Sequence, residues 1–270
     1  MVLLLILLIL VIGAIMFYPH LENKMIFYPE MGLEDNPANW NLPYKDVRFP
    51  TSDGEVLHGW FLSSHAKSPV LVFCHGNAGN ISHRIENAHF LLKRGISVLL
   101  FSYRGYGLSS GSPSEQGIYR DGVAAYDHLT EIEKISPERI AVFGRSLGGA
   151  VAIELALRRK VKCLIIENTF TSMREMSKTI FPYSLFSPFL PHHYKNNSKI
   201  AGVSVPKLII HGTNDEIVPL RMGKSLFESA RGEKIFLPVN GAGHNDVYII
   251  GGAAYFDAIV DFVRSNTVSD

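Results

Sequence analysis

The sequence predicts an α/β fold built on a mostly parallel sheet of about eight strands with helices on both faces. Short runs rich in Val, Ile and Leu alternate along the chain with stretches whose apolar residues recur at helical spacing. Near-continuous apolar strands are typical of parallel sheets that are covered on both sides. The length of 270 residues suits one large domain or two small ones.

Each element follows from its local pattern, and a Ser52-Asp53-Gly54 turn separates the first two strands. In chain order the predicted strands are VRF, EVLHGWFL, SPVLVFC, ISVLLF, RIAVFG, VKCLIIEN, PKLIIHG and EKIFLPV. The predicted helices are ISHRIENAHFLLKRG, which Gly95 ends, SEQGIYRDGVAAYDHLTEI, LGGAVAIELALRR, LRMGKSLFESA and GGAAYFDAIVDFVRS.

Residues 1–18 carry no charged side chain and, as a helix, would span roughly 27 Å, close to the hydrocarbon thickness of a bilayer. A cleaved signal peptide is less consistent with them, because no Lys or Arg precedes the apolar run and no small-x-small site ends it. A buried core helix would need a polar face, which is missing. We therefore expect a single-pass anchor in the lipid bilayer at 1–18, a connector at 19–45 and one domain at 46–266.

The composition of the chain limits which partners and which chemistry we expect. The formal net charge is +1 and no basic block occurs, so nucleic acid is not an expected partner. Cys74 and Cys163 lie in apolar strand-like runs and are expected to be buried free thiols. Neither has the spaced Cys or His neighbours of a metal site. Asn196 heads a glycosylation sequon, which would be usable if the domain faces the lumen or the exterior.

A long segment between the strands that end near Glu167 and begin at Lys207 interrupts the α/β alternation. A plain crossover needs far fewer residues. The segment is rich in aromatic residues, so it predicts a lid or pocket wall at 170–200. The alternative is a helix packed on the sheet followed by an irregular loop.

The stretch Gly144-Arg145-Ser146-Leu147-Gly148 fits the pattern G-x-S-x-G. It follows a predicted strand and opens a predicted helix, which is the context of a nucleophilic serine on a sharp turn. An ordinary strand-to-helix turn with a polar spacer remains the alternative for this motif alone. Arg145 has no evident role in the sequence.

A serine nucleophile needs a base, and the base needs a group that orients it. Asp215 follows one predicted strand and His244 follows the last, so the order Ser, acid, His matches that of this class of sheet. Both lie where open α/β sheets gather ligands and reactive groups. Glu216 and Asp246 are rival carboxylates, which rank below Asp215.

Acyl transfer also needs hydrogen-bond donors for the oxyanion. The backbone N–H of Leu147, at the start of the predicted helix, is one candidate. The backbone N–H of Asn77, in the loop CHGNAGN after an earlier strand, is the other. His75 precedes the serine in the chain and is interpreted as a residue that shapes this loop.

Six motifs together resemble the α/β-hydrolase superfamily: HGNAGN, SYRGYGLSSGSPSE, GRSLGGAVA, ENTFTSM, HGTNDEIVP and GAGHND. The resemblance covers residues 25–265. Within the superfamily, the motifs are most similar to those of the membrane-anchored, bud-emergence-protein-like branch. It implies the α/β-hydrolase fold and a triad of Ser146, Asp215 and His244. It also places SYRGYGLSSG beside the active site, where Arg104 and Tyr106 are expected to brace the loop.

We therefore expect a membrane-tethered serine hydrolase that cleaves a small-molecule acyl ester or thioester of lipid-like character through an acyl-enzyme. No metal or organic cofactor is implied. A serine peptidase of the same fold and a non-catalytic membrane scaffold are the alternatives.

Overall fold

A computed structural model describes residues 26–179 and 193–267. Its main sheet has eight strands. The strands in chain order are β1 Tyr28–Pro29, β2 Lys45–Pro50, β3 Val56–Leu62, β4 Val70–Cys74, β5 Ala78–Gly79, β6 Ser97–Phe101, β7 Ile140–Arg145, β8 Leu164–Glu167, β9 Lys207–Gly212 and β10 Lys234–Val239. The main sheet runs in the order β10-β9-β8-β7-β4-β6-β3-β2, and β1 pairs with β5 in a separate ribbon.

Strands β4 and β6 to β10 run parallel to one another, whereas β3 is antiparallel to both of its neighbours, β6 and β2. The parallel strands therefore end together at one edge of the sheet, which we call the carboxyl edge. The predicted α/β class and all eight predicted strands are confirmed.

Helices cover both faces of the sheet. They are α1 Ile85–Lys93, α2 Glu115–Asp127, α3 Leu147–Arg158, α4 Met173–Ser177, α5 Asn196–Ile200, α6 Leu220–Ser229 and α7 Val247–Asn266, with a kink in α7 at Gly252. One apolar core lies between the sheet and α2, α3 and α6, and the other lies between the sheet and α1 and α7. Strand β4 serves both, because Val70 and Val72 point into the first core and Leu71 and Phe73 into the second.

Strand β1 lies within the predicted connector, and its partner β5 lies within the predicted domain. Tyr28 pairs with Ala78, which belongs to the loop that follows β4 at the carboxyl edge. Ile26 and Phe27, directly before β1, are buried in the first core. The connector is thus attached to the domain at its carboxyl edge.

The predicted anchor at residues 1–18 lies outside the described residues. Within 26–179 and 193–267, no helix is long and apolar enough to cross a membrane.

Part of the predicted lid, 180–192, likewise lies outside the described residues. The described flanks carry α4 and α5. Two of the segment's aromatic residues, Phe170 and Tyr194, are buried with ring centroids 5.9 Å apart. These two side chains belong to the domain core and do not line an open pocket.

The expectation of a glycan at Asn196 is wrong for this fold. The residue is fully buried, and its side-chain amide donates a hydrogen bond to the carbonyl of Phe170 at 2.9 Å. The expectation for the cysteines is confirmed, since Cys74 and Cys163 are both buried and free.

Candidate active site

Ser146 forms the tight turn between β7 and α3. Its backbone has φ 54° and ψ −116°, a left-handed conformation that a non-glycine residue rarely adopts. Its N–H donates to the carbonyl of Glu167 at 2.8 Å. Holding a residue in this backbone conformation costs of order 1–3 kcal/mol in strain energy, and such strain is typical of functional sites.

The glycines around Ser146 allow the turn to pack against the sheet. A Cβ on Gly148 would lie 2.0 Å from the carbonyl oxygen of Cys74. A Cβ on Gly144 would lie 2.2 Å from the carbonyl oxygen of Gly148, and one on Gly149 would lie 1.9 Å from the hydroxyl of Thr169. Since these positions have no room for a side chain, the backbone can turn sharply and present the Ser146 side chain, which is partly exposed.

Ser146, His244 and Asp215 form a continuous line of hydrogen bonds. His244 Nε2 lies 3.0 Å from Ser146 Oγ, and His244 Nδ1 lies 2.8 Å from Asp215 Oδ2. The other carboxylate oxygen of Asp215 accepts the N–H groups of Ile217 at 2.9 Å and Val218 at 2.7 Å. The buried carboxylate is therefore fixed, and its Oδ2 faces the imidazole.

The rival carboxylates bind the loop and not the imidazole. Glu216 accepts the backbone N–H of His244 at 3.3 Å, and Asp246 accepts that of Gly243 at 2.7 Å. Both therefore hold the loop that carries His244, and Asp215 is the carboxylate that reaches its ring.

The loop predicted to supply an oxyanion donor lies against the serine. A Cβ added to Gly76 would lie 3.8 Å from the Cβ of Ser146. Within the part of the chain that the structure describes, the backbone N–H groups of Asn77 and Leu147 have no hydrogen-bond acceptor. Neither group is therefore committed to another acceptor, and their role as oxyanion donors stays a prediction.

His75 and two tyrosines form the floor of this loop. His75 is fully buried, and its ring packs against Tyr103 with centroids 4.2 Å apart and edge-on against Tyr106 at 5.3 Å. Its Nδ1 lies 2.6 Å from the Gly76 carbonyl oxygen. Burial lowers the pKa of His75 to about 3, so the ring is neutral at physiological pH. The role predicted for His75, shaping the loop, is confirmed.

Arg104 braces the neighbouring loop, as predicted. Its guanidinium forms ion pairs with Asp53 in the β2–β3 turn and with Asp121 in α2, each at 2.8 Å. It thereby joins the loop that follows β6 to two other elements, and Tyr106 in the same loop packs on the His75 ring.

Sequence reasoning missed the support behind His244. Arg145 is buried, donates to the His244 carbonyl at 2.9 Å and pairs with Glu167 at 3.1 Å. Asn168 donates to the same carbonyl at 3.0 Å, and the Tyr255 hydroxyl donates to Glu167. The sequence feature that could have indicated this support is a charged residue at the end of each of two strands. Arg145 and Glu167 are register partners between β7 and β8.

One group of potential metal ligands occurs among the described residues: Glu30, Glu34 and His83 on the surface. His83 Nδ1 accepts the backbone N–H of Asn80 at 3.2 Å, so a neutral ring carries its proton on Nε2. That nitrogen lies 3.2 Å from Glu34 and 3.6 Å from Glu30. The arrangement suits hydrogen bonding to the carboxylates better than coordination of a cation.

An open cavity of about 460 Å³ lies between the described flanks of the long insertion and the start of α6. Polar and charged side chains line most of it: Thr171, Ser172, Glu175, Lys195 and Arg221. Ser146, Asp215 and His244 are not among the described residues that line this cavity.

The sheet order and the turn at Ser146 define the class of protein, which is the α/β hydrolases. A family model described as the alpha/beta hydrolase fold matches residues 69–186. The chain belongs to this family and, within it, to the branch that contains bem46.

Three relatives cover almost the whole chain. The α/β-hydrolase domain-containing protein WAV2 of Arabidopsis thaliana is 34% identical over 94% of this chain and 91% of its own length. Protein bem46 of Schizosaccharomyces pombe is 35% identical over 92% of this chain and 87% of its own. A Saccharomyces cerevisiae protein, named as an uncharacterized membrane protein, is 35% identical over 90% and 89%.

Among solved structures, the Pyrococcus furiosus esterase Pf2001 superposes with a TM-score of 0.77 at 20% identity, over 90% of this chain and 99% of that one. This likeness shows the same fold. Membership of the alpha/beta hydrolase family is what supports hydrolase activity.

Proposed function

We propose that the protein is a membrane-tethered serine hydrolase that cleaves acyl esters or thioesters. The observation that carries the proposal is the line of hydrogen bonds from Ser146 through His244 to the buried carboxylate of Asp215, with the serine on a strained turn. This arrangement is that of an activated serine nucleophile.

The proposed reaction proceeds in two stages. Ser146 Oγ attacks the acyl carbonyl while His244 Nε2 takes its proton, and Asp215 stabilises the imidazolium that forms. The N–H groups of Asn77 and Leu147 hold the oxyanion. His244 then returns the proton to the leaving alcohol or thiol, which departs from the acyl-enzyme. A water molecule, deprotonated by His244, hydrolyses the acyl-enzyme and regenerates Ser146.

The proposed membrane tether rests on the sequence of residues 1–18 and on the name of the S. cerevisiae relative. A tethered enzyme meets acyl esters that are dissolved in the bilayer. A lipid-like acyl group is therefore the proposed substrate class.

Labelling of the full-length protein with a fluorophosphonate probe tests the nucleophile. We expect the wild type and a control variant, Ser225→Ala on α6, to be labelled and Ser146→Ala to remain unlabelled. A folded wild type that takes no label would instead favour a non-catalytic scaffold.

Turnover of a matched panel of acyl esters, acyl thioesters and peptides then separates the hydrolase types. We expect esters or thioesters to be cleaved and the loss of cleavage in Ser146→Ala. Cleavage of the peptides alone would mean that the protein is a peptidase.

A further inference from the structure

We infer that the carboxyl edge of the sheet is the surface that rests on a lipid bilayer, so that the candidate active site opens onto the membrane. The inference rests on the proposed function for its tether and substrate class. It deepens that proposal by specifying which face of the domain meets the lipid.

The chain enters the domain at this edge. Ile26 and Phe27 are fixed in the core, and β1 follows at once on the loop that holds Asn77. The same segment is held from a second side, because the N–H of Gly32 donates to the carbonyl of Gly107 at 3.1 Å. The entry point is therefore rigidly attached beside the candidate site.

The tether is too short to reach around the domain. Between residue 18, the end of the predicted anchor, and Ile26 the chain can span at most about 28 Å. A domain of this size is roughly 45 Å across. If the opposite edge of the sheet faced the bilayer, the entry point would lie farther from the membrane than the tether can extend. The tether thus permits orientations in which the carboxyl edge lies close to the membrane.

Exposed apolar side chains indicate that the carboxyl edge itself is the surface that contacts the membrane. Met31 is 74% exposed and Ile249 is 62% exposed. They belong to two groups on either side of Ser146, one next to the Asn77 loop and one next to the loops of Asp215 and His244. The groups comprise Tyr28, Met31 and Leu108 on the first side, and Ile217, Ile249 and Ile250 on the second.

The charges on this edge indicate which lipid it meets. Glu30 and Glu34 lie beside the first group, and Glu216 and Asp246 lie beside the second. Arg48 donates to the carbonyl of Leu108 in the first group, so the charge beside the two groups is mixed and is not a basic cluster of the kind that binds anionic lipid. We therefore infer apolar insertion into a neutral, phosphatidylcholine-like surface and not electrostatic adsorption.

Depth-dependent quenching in the full-length protein tests the orientation. Met31→Cys and Ile249→Cys place a thiol on each apolar group, and Ile132→Cys is the matched control because Ile132 is 68% exposed and lies toward the opposite edge. Burial raises the pKa of both native thiols, that of Cys163 to about 12, so an alkylating fluorophore reacts preferentially at the new site.

The labelled proteins are reconstituted into phosphatidylcholine vesicles with and without a doxyl-labelled phosphatidylcholine. We expect the lipid quencher to reduce fluorescence about twofold or more at positions 31 and 249, since interfacial side chains lie about 5–10 Å deep, and to leave position 132 nearly unchanged. Equal quenching at 132, no quenching at 31 and 249, or failure of the protein to sediment with vesicles would overturn the inference.

Turnover provides a second, independent test. In the double variant Met31→Ser/Ile249→Ser, we expect the rate on a vesicle-embedded ester, relative to a short soluble ester, to fall about tenfold, equivalent to about 1.4 kcal/mol. Ile132→Ser should leave this ratio unchanged, and an unchanged ratio in the double variant would also contradict the inference. Fluorophosphonate labelling of the same variants reports separately on the proposed hydrolase.

Discussion

Asp215 and Glu216 are adjacent carboxylates whose different contacts predict different effects on activity. Asp215→Asn should lower kcat by roughly 10³- to 10⁴-fold, because the amide favours the wrong imidazole tautomer. Glu216→Gln should stay within about tenfold of wild type, because the amide oxygen can still accept the backbone N–H of His244. Steady-state kinetics on a soluble ester measure both.

If Glu216→Gln were the more damaging variant and Asp215→Asn retained activity, the orienting carboxylate would have to be reassigned. Thermal unfolding of both variants shows whether either loss reflects unfolding and not chemistry.

Arg145 is a positioning residue, since it contacts the backbone of His244 and not the reacting atoms. Arg145→Met removes that bond and leaves the Glu167 carboxylate buried without its cation, which costs about 3–5 kcal/mol of stability. Arg145→Met/Glu167→Gln should recover much of that stability while kcat stays at least about tenfold reduced and KM changes little. Unfolding in urea and steady-state kinetics separate the two effects.

Arg145→Lys serves as the conservative control for this pair. We expect it to retain the charge, and with it most of the stability, and to recover kcat in part. A double variant that regained full activity together with stability would show that Arg145 is merely structural.

At the level of single residues, the sequence predicted the groups that stand at strand ends in a known chain order. Ser146, Asp215 and His244 are joined by hydrogen bonds at these strand ends, whereas the role of Asn77 and Leu147 as oxyanion donors stays a prediction. The sequence did not predict the Arg145–Glu167 pair, because the pairing depends on the register between β7 and β8, which local sequence does not encode. The burial of Asn196 likewise depends on tertiary packing, so the sequon at this position contained no sign of it.

The turn at Ser146 depends on close packing of α3 against the end of β4. Gly148→Ala would force a Cβ to 2.0 Å from a backbone carbonyl that cannot move aside. We expect a loss of about 3 kcal/mol or more in stability, as for other cases of overpacking in a core. Urea denaturation of the purified variant measures this loss.

Gly76→Ala is the matched control for this turn. Its added Cβ would meet its nearest neighbour, the Arg145 carbonyl oxygen, at 3.7 Å, an ordinary contact distance. We expect a change in stability below about 1 kcal/mol. Comparable losses in the two variants would show that the glycine requirement is not steric.

At the level of elements, apolar runs and helical spacing were sufficient to predict the eight strands of the main sheet and the helices that flank them. The β1–β5 ribbon was not predicted. Each of its strands has two residues, too few to show any periodicity, and their pairing joins positions 28 and 78. Contacts of this kind arise from the folded chain as a whole and have no local signature.

For the whole molecule, buried neutral histidines predict a loss of stability in mild acid. Burial lowers the pKa of His75 to about 3 and also lowers the pKa of His128 and His211. In the unfolded chain these rings take up a proton below about pH 6.5. Protons therefore bind the unfolded state preferentially, and the free energy of unfolding falls as the pH drops through this value.

His75 makes this effect measurable, because its ring stays unprotonated in the folded protein throughout the interval from pH 7.5 to 5.5. Over that interval one such histidine costs about 1.4 kcal/mol of stability. Burial raises the pKa of Asp121 to about 6, which acts in the opposite sense, so the comparison must be between variants that all retain Asp121.

His75→Phe keeps an aromatic ring against Tyr103 and removes the titrating group. We expect its loss of stability between pH 7.5 and 5.5, measured by urea unfolding, to be smaller than that of wild type by about 1.4 kcal/mol. If His75→Phe lost as much stability as wild type, the neutral, buried state of His75 would not be what makes the fold sensitive to acid.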